Sequence, residues 1–127
     1  MKKYIITLIV CLLATLAAQA QNSIDNLVER YSSMGGSSFT TAVKRNPQTQ
    51  KVVKVVKTLE MDSSEGGTFY RVFKRESHTG SWTEKVANNE HTTLLVVEKP
   101  QQARIYMLKR NSNSYGKVKV TIIIQPK

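Results

Sequence analysis

The stretch KVKVTIIIQ, residues 117–125, decides the fold. Apolar side chains occupy every second position from Val118 to Ile124, and this period is typical of a strand with one face on a core. The alternate positions begin with Lys117 and Lys119, so the opposite face is predicted to be mixed and partly basic. The stretch therefore predicts a strand of an antiparallel sheet, with one face of the strand packed on a core.

Three more strands are predicted before it, over residues 81–86, 92–98 and 103–110. Turn signals separate all four strands: Asn88-Asn89, Lys99-Pro100 and the stretch 113–116 (NSYG). The connections are short, and short connections favour antiparallel pairing of neighbouring strands. We therefore expect a four-stranded antiparallel meander over the second half of the chain.

The first half is predicted to form a helix and a β-hairpin. Ser23 is a candidate N-cap, apolar residues then follow helical spacing up to Met34, and Gly35-Gly36 ends the helix. Residues 38–45 alternate as in a strand, and 46–49 (NPQT) form a turn. Residues 51–61 fit either a strand or a helix. Their four β-branched valines favour a strand.

A short helix is predicted around Phe69, Val72 and Phe73, between the hairpin and the meander. The fold class is therefore α+β, with an N-terminal helix, a β-hairpin, a short helix and the four-stranded meander. Residues 21–127 are expected to form one domain, a size that can bury a single hydrophobic core.

Residues 1–20 have the pattern of a bacterial secretory signal. Lys2 and Lys3 precede an apolar run, and Ala18-Gln19-Ala20 predicts cleavage between Ala20 and Gln21. The run is shorter than the roughly 20 residues of a membrane-spanning helix, which favours cleavage over anchoring. Cys11, the only cysteine, would leave with the signal. We expect an exported protein of the periplasm or cell surface, or one secreted, with no transmembrane segment after cleavage.

Several segments resemble a family of small exported proteins of Gram-negative gut bacteria that is classed as a domain of unknown function. They are 24–27 (IDNL), 39–41 (FTT), 45–49 (RNPQT), 57–60 (KTLE) and 104–108 (RIYML). The resemblance covers most of the chain after the signal. It implies export and an α+β domain, and it brings no activity, cofactor or functional residue with it.

The sequence contains no recognisable catalytic constellation. No serine lies in a nucleophile motif, and no phosphate-binding glycine loop is present. His78 and His91, the only histidines, lack the spacing of a metal site, and adjacent Glu90 and His91 would point to opposite faces of a strand. We expect a protein that is not an enzyme and that needs no cofactor or metal.

Positive charge is the remaining signal, with 19 Lys and Arg residues against 9 Asp and Glu residues. If the last two strands pair, a basic and aromatic face is predicted to open to water, unless one helix covers it. Its members are Arg104, Tyr106, Arg110, Lys117 and Lys119. Such a face would suit anionic glycans or lipid headgroups, whereas nucleic acid is not expected outside the cell. The other interpretation is that these charges only solvate the sheet and protect its edges.

The sequence therefore predicts an exported, non-enzymatic binding or structural domain that contacts anionic envelope components through a basic sheet face. The alternative is a protein-partner module, such as an inhibitor or an envelope-complex subunit. Such a module would bind through an edge strand or an apolar patch. An enzyme of unrecognised type is the least favoured of the three.

Overall fold

The structure, a computed structural model, describes residues 22–62, 66–111 and 117–127. The predicted signal with its cleavage site at Ala20 and Gln21, and the predicted turn at 113–116, lie outside the described residues. Helix α1 spans Ser23–Ser32, α2 spans Gly66–Arg75, and a 3₁₀ turn covers Ser77–Thr79. The six strands are β1 Ser37–Arg45, β2 Val52–Asp62, β3 Ser81–Ala87, β4 Glu90–Glu98, β5 Gln102–Asn111 and β6 Lys117–Pro126.

All six strands form one antiparallel sheet in the order β1-β2-β6-β5-β4-β3. The predicted meander is present as β3 to β6, but a four-stranded sheet understates the structure, because the hairpin joins it. Strand β2 pairs with β6 and places Leu59 opposite Val120. Without β2, the isoleucine-rich strand β6 would be an edge with unpaired backbone groups, which sheets avoid.

Both helices cover the same face of the sheet. Ile24 and Val28 of α1 and Phe69 and Phe73 of α2 are buried with apolar side chains from the four central strands. Those strand residues are Leu59, Leu95, Val97, Tyr106, Leu108, Val118, Val120 and Ile122. The predicted core face of β6 is therefore confirmed by its three buried residues, Val118, Val120 and Ile122.

Helix α1 begins one residue earlier than predicted, because Asn22 rather than Ser23 is its N-cap. The Asn22 Oδ1 accepts hydrogen bonds from the backbone N–H of Ile24 (2.9 Å) and of Asp25 (3.1 Å). The Asp25 Oδ2 in turn accepts one from the Asn22 backbone N–H at 2.9 Å. This reciprocal capping box satisfies donors that a helix start leaves open. The helix ends at Ser32, and Met34 is exposed beyond it.

The strand assignment of residues 51–61 is confirmed, since they lie in β2 apart from Lys51. The other strands begin and end within two residues of their predicted limits. The turn between β3 and β4 consists of Asn88 and Asn89, with φ of 53° and 63°. Positive φ at both central residues is typical of a type I′ hairpin turn, and asparagine tolerates it well.

Gly80 marks a close approach between two backbone segments. A Cβ atom at this position would overlap the carbonyl oxygen of Val96 in β4. We therefore expect Gly80→Ala to lower the free energy of unfolding by about 1–3 kcal/mol, since the clash is with backbone that cannot yield freely. Gly67→Ala in α2 is the matched control, because its Cβ meets nothing within 4 Å. Urea unfolding measures both, and equal stability of the two variants would contradict the close approach.

Candidate functional site

The covered and uncovered faces of the sheet differ in chemistry. Along β5, the helix-covered face carries Arg104, Tyr106, Leu108 and Arg110. The alternate residues Ala103, Ile105, Met107 and Lys109 lie on the uncovered face. Neighbouring strands follow the same alternation, because directly paired residues share a face.

A buried polar cluster of Asp25, Arg104 and Tyr106 joins α1 to β5. The Tyr106 hydroxyl donates to Asp25 Oδ2 at 2.9 Å, and Arg104 Nη2 lies 3.4 Å from Asp25 Oδ1. All three residues are less than a tenth exposed. Burial raises the pKa of the Tyr106 phenol well above its ordinary value, and the Asp25 charge raises it further, while Arg104 opposes them. This cluster is part of the core, out of reach of a ligand at the surface.

Arg110 lies on the same covered face, at its edge. Its guanidinium carbon is 4.5 Å from the centre of the Tyr70 ring, a cation–π contact with α2. The Tyr70 hydroxyl donates to Glu84 of β3, and that hydrogen bond raises the pKa of Tyr70. Arg110 therefore packs between a helix and the sheet.

A line of polar side chains crosses the uncovered face from β2 to β3. Successive pairs place Glu60 opposite Lys119, Lys119 opposite Lys109, Lys109 opposite Thr92, and Thr92 opposite Lys85. We call Lys85, Lys109 and Lys119 the lysine row. The Lys119 Nζ lies 3.7 Å from the Glu60 Oε1, and both side chains are about half exposed.

A groove of about 410 Å³ lies where β5 ends and β6 begins, and it takes in Lys109 and Lys119 of this row. It is lined by Glu60, Glu90, Lys109, Arg110, Asn111, Lys117, Val118 and Lys119. These include four cations and two carboxylates, so the lining carries two net positive charges. A smaller depression of about 270 Å³ adjoins it, shares Glu90, and has Lys85 and Thr92 in its wall. The arrangement suits a ligand with negatively charged groups.

An aliphatic band runs parallel to the lysine row on the same face. It consists of Val56, Ile123, Ile105 and Val96, which are paired in succession across β2, β6, β5 and β4. All four are partly exposed. Ile123 is four residues from Lys119, so the band and the row are about 13 Å apart. The uncovered face therefore offers basic and apolar zones side by side.

The five residues predicted to share one open basic face do not share it. Arg104 and Tyr106 lie in the buried cluster and Arg110 lies on the covered face, whereas Lys117 and Lys119 lie on the uncovered face. The reason is the register, which pairs Arg110 with core residue Val118 rather than with a lysine. The helices thus cover the arginine side, the alternative that the sequence had left open. The groove still brings three of the five together, since Arg110, Lys117 and Lys119 all line it.

Two members of the lysine row, Lys85 and Lys109, were missed by sequence reasoning. Their signal was present in the alternation of β3 and β5, but it needs the strand register to become a row. Among the described residues, no group of three His, Asp or Glu side chains is placed to hold a metal ion. His78 is exposed, with Nδ1 3.0 Å from the Arg75 carbonyl oxygen.

The chain matches no protein-family model and no curated protein. The resemblance to exported gut-bacterial proteins therefore stays a prediction. Within the described ranges, no helix is both long enough and apolar enough to cross a membrane.

Asp25→Asn tests the buried cluster, because it keeps the shape of the side chain and removes the charge facing Arg104. We expect the free energy of unfolding to fall by about 3–5 kcal/mol in urea titrations, the usual cost of breaking a buried ion pair. Glu60→Gln removes the exposed pair with Lys119 and should cost at most about 1 kcal/mol. If both variants lost the same free energy of unfolding, the contact of Asp25 with Arg104 would contribute no more than an exposed ion pair.

Tyr106→Phe should make stability depend less on pH in the alkaline range. A folded-state pKa above the ordinary 10.0 means that the hydroxyl stabilises the protein fully below about pH 10. There we expect the variant to be about 1.5–3 kcal/mol less stable, since it loses a hydrogen bond to a charged acceptor. Above that pH the difference should shrink, by up to about 1.4 kcal/mol per pH unit. Urea unfolding on both sides of pH 10 measures it, and a constant difference would contradict the shift.

Proposed function

We propose that this chain is an exported, non-enzymatic binding domain that contacts anionic components of the bacterial envelope. The contact surface is the uncovered face of the sheet, around the lysine row and the groove beside it. Export rests on the signal pattern of residues 1–20. The ligand chemistry is a phosphate or carboxylate group, as carried by lipid headgroups and by acidic glycans.

The observation that carries this proposal is the direct pairing of Lys109 with Lys119. Like charges directly opposite each other on one sheet face repel and destabilise the pair. Lys119 has Glu60 at 3.7 Å, and among the described residues no carboxylate forms an ion pair with Lys109. An anion bound between the two ammonium groups would remove the repulsion and gain from both charges.

The surroundings of this pair support the same ligand class. Lys117 lies on the same face as the pair and lines the same groove, so a third ammonium group borders the opening. An envelope lipid also has an apolar part, and the aliphatic band lies on the same face within about 13 Å of the row. This neighbourhood favours the lipid headgroup among the anionic ligands.

The double variant Lys109→Gln/Lys119→Gln tests the proposal. Each lysine near an anionic bilayer contributes about 1 kcal/mol, so the pair should be worth about 30-fold in affinity. Binding of the exported protein to vesicles of phosphatidylglycerol in phosphatidylcholine is measured by co-sedimentation at low and high salt. Pure phosphatidylcholine vesicles and a soluble acidic polysaccharide form the two other arms, which distinguish the sources of the anion.

The matched control is Lys74→Gln/Arg75→Gln, which removes the same charge from exposed positions of α2. It should retain binding within a few-fold, because it leaves the uncovered face intact. Equal loss in both double variants would reduce the effect to net charge. If the unmodified protein bound neither anionic probe, the proposal would be wrong.

A further inference from the structure

The two edge strands of the sheet are protected very differently. Strand β3 is seven residues long and carries Glu84 and Lys85 in its middle. Strand β1 is nine residues long and carries charge only at its end, at Lys44 and Arg45. Charges in the middle of an edge strand discourage pairing with another chain. By this criterion β3 is closed to pairing and β1 is open.

Strand β1 also presents apolar side chains that are partly open to water. Phe39 is 37% exposed and Val43 is 49% exposed, on the face of the sheet where α1 and α2 lie. Among the described residues, β2 is the only strand that pairs with β1, so the outer backbone groups of β1 are open to a further strand.

Symmetry restricts how two copies of β1 can pair. Two identical antiparallel strands are related by a twofold axis perpendicular to the sheet, so one residue must lie opposite itself. Thr41 is the central residue of β1, and a pair centred on it engages all nine residues of each strand. The helices of both copies then lie on the same face of the combined sheet.

This register is also complementary in its side chains. Phe39 lies opposite Val43 of the second copy, an aromatic pair with a β-branched residue that is favoured across strands. Lys44 lies opposite Ser38, and Arg45 lies opposite Ser37, so no cation meets a cation.

The neighbouring symmetric registers lack this match. A pair centred on Thr40 would place Phe39 opposite Thr41. A pair centred on Ala42 would place it opposite Arg45.

We propose that two copies of this chain form a dimer by antiparallel pairing of β1 with β1, centred on Thr41. The dimer continues the sheet across both copies and covers Phe39 and Val43. It uses a different surface from the lysine row, so it stands or falls independently of the proposed ligand.

The dimer is tested first by cysteine cross-linking in a Cys11→Ser background, which leaves no other thiol in the chain. Directly opposed residues of an antiparallel pair have Cα atoms about 4.5–5.5 Å apart, within the range of a disulfide. Thr41→Cys should therefore give a disulfide-linked dimer on mild oxidation. Ser38→Cys is the control, because its two copies would be about 20 Å apart and should stay monomeric on a non-reducing gel.

A charge variant tests the same axis without a cross-link. Thr41→Lys sets two ammonium groups opposite each other and should shift the protein to monomer in analytical ultracentrifugation across a dilution series. Phe39→Ala should weaken the dimer about 2- to 30-fold by removing two cross-strand pairs. Thr83→Lys, on edge strand β3, should leave the dimer unchanged.

Three results would overturn the proposal. They are an unmodified protein that is monomeric throughout the dilution series, cross-linking of Ser38→Cys as efficient as that of Thr41→Cys, and a dimer that persists in Thr41→Lys. Circular dichroism of each variant establishes that a change in assembly is not a loss of fold.

Discussion

The contact of Asp25 with Arg104 and Tyr106 constrains the rest of the structure. A buried arginine and a buried carboxylate each lose hydration, and their mutual attraction, here across 3.4 Å between Arg104 Nη2 and Asp25 Oδ1, offsets part of that loss. Here the carboxylate also completes the capping box of α1 through the Asn22 N–H. One side chain therefore sets both where the helix begins and where it lies on β5. Sliding α1 by one turn would separate the buried charges and leave each without its partner, which is costly.

The position of α1 decides which face of the sheet remains open. Because Arg104 and Tyr106 turn toward the helices, alternation along β5 turns Ile105, Met107 and Lys109 away from them. A shift of one residue in pairing would exchange these sets and bury Lys109. The lysine row and the aliphatic band thus lie on the opposite face of the strands that carry the core and its polar contact. One strand register therefore places the core on one face of the sheet and the proposed binding surface on the other.

Local features of the fold could be predicted from the sequence, and long-range ones could not. The alternation of apolar and polar residues predicted the limits of β4, β5 and β6 within two residues, because this pattern is visible within each strand by itself. The pairing of β2 with β6 joins residues about sixty positions apart, and no local pattern encodes it. The face of β5 was misjudged because Arg104 is more hydrophilic than Ile105. One signal was available: Asp25 sits beside Ile24 on the apolar side of α1, and a buried acid requires a buried partner.

The hairpin pairs with the meander through β2, so β6 is not an edge strand. Strand β1 becomes the edge instead, and its outer backbone groups have no partner strand among the described residues. Self-pairing of β1 would supply this partner in a finite assembly rather than a fibre. The contact is isologous, so it consumes the same edge on both copies and leaves only the two β3 edges outward. Each β3 edge carries Glu84 and Lys85, and Tyr70 of α2 holds Glu84 by a hydrogen bond. Addition of a third copy would have to displace these charges, so we expect the proposed pairing to stop at two.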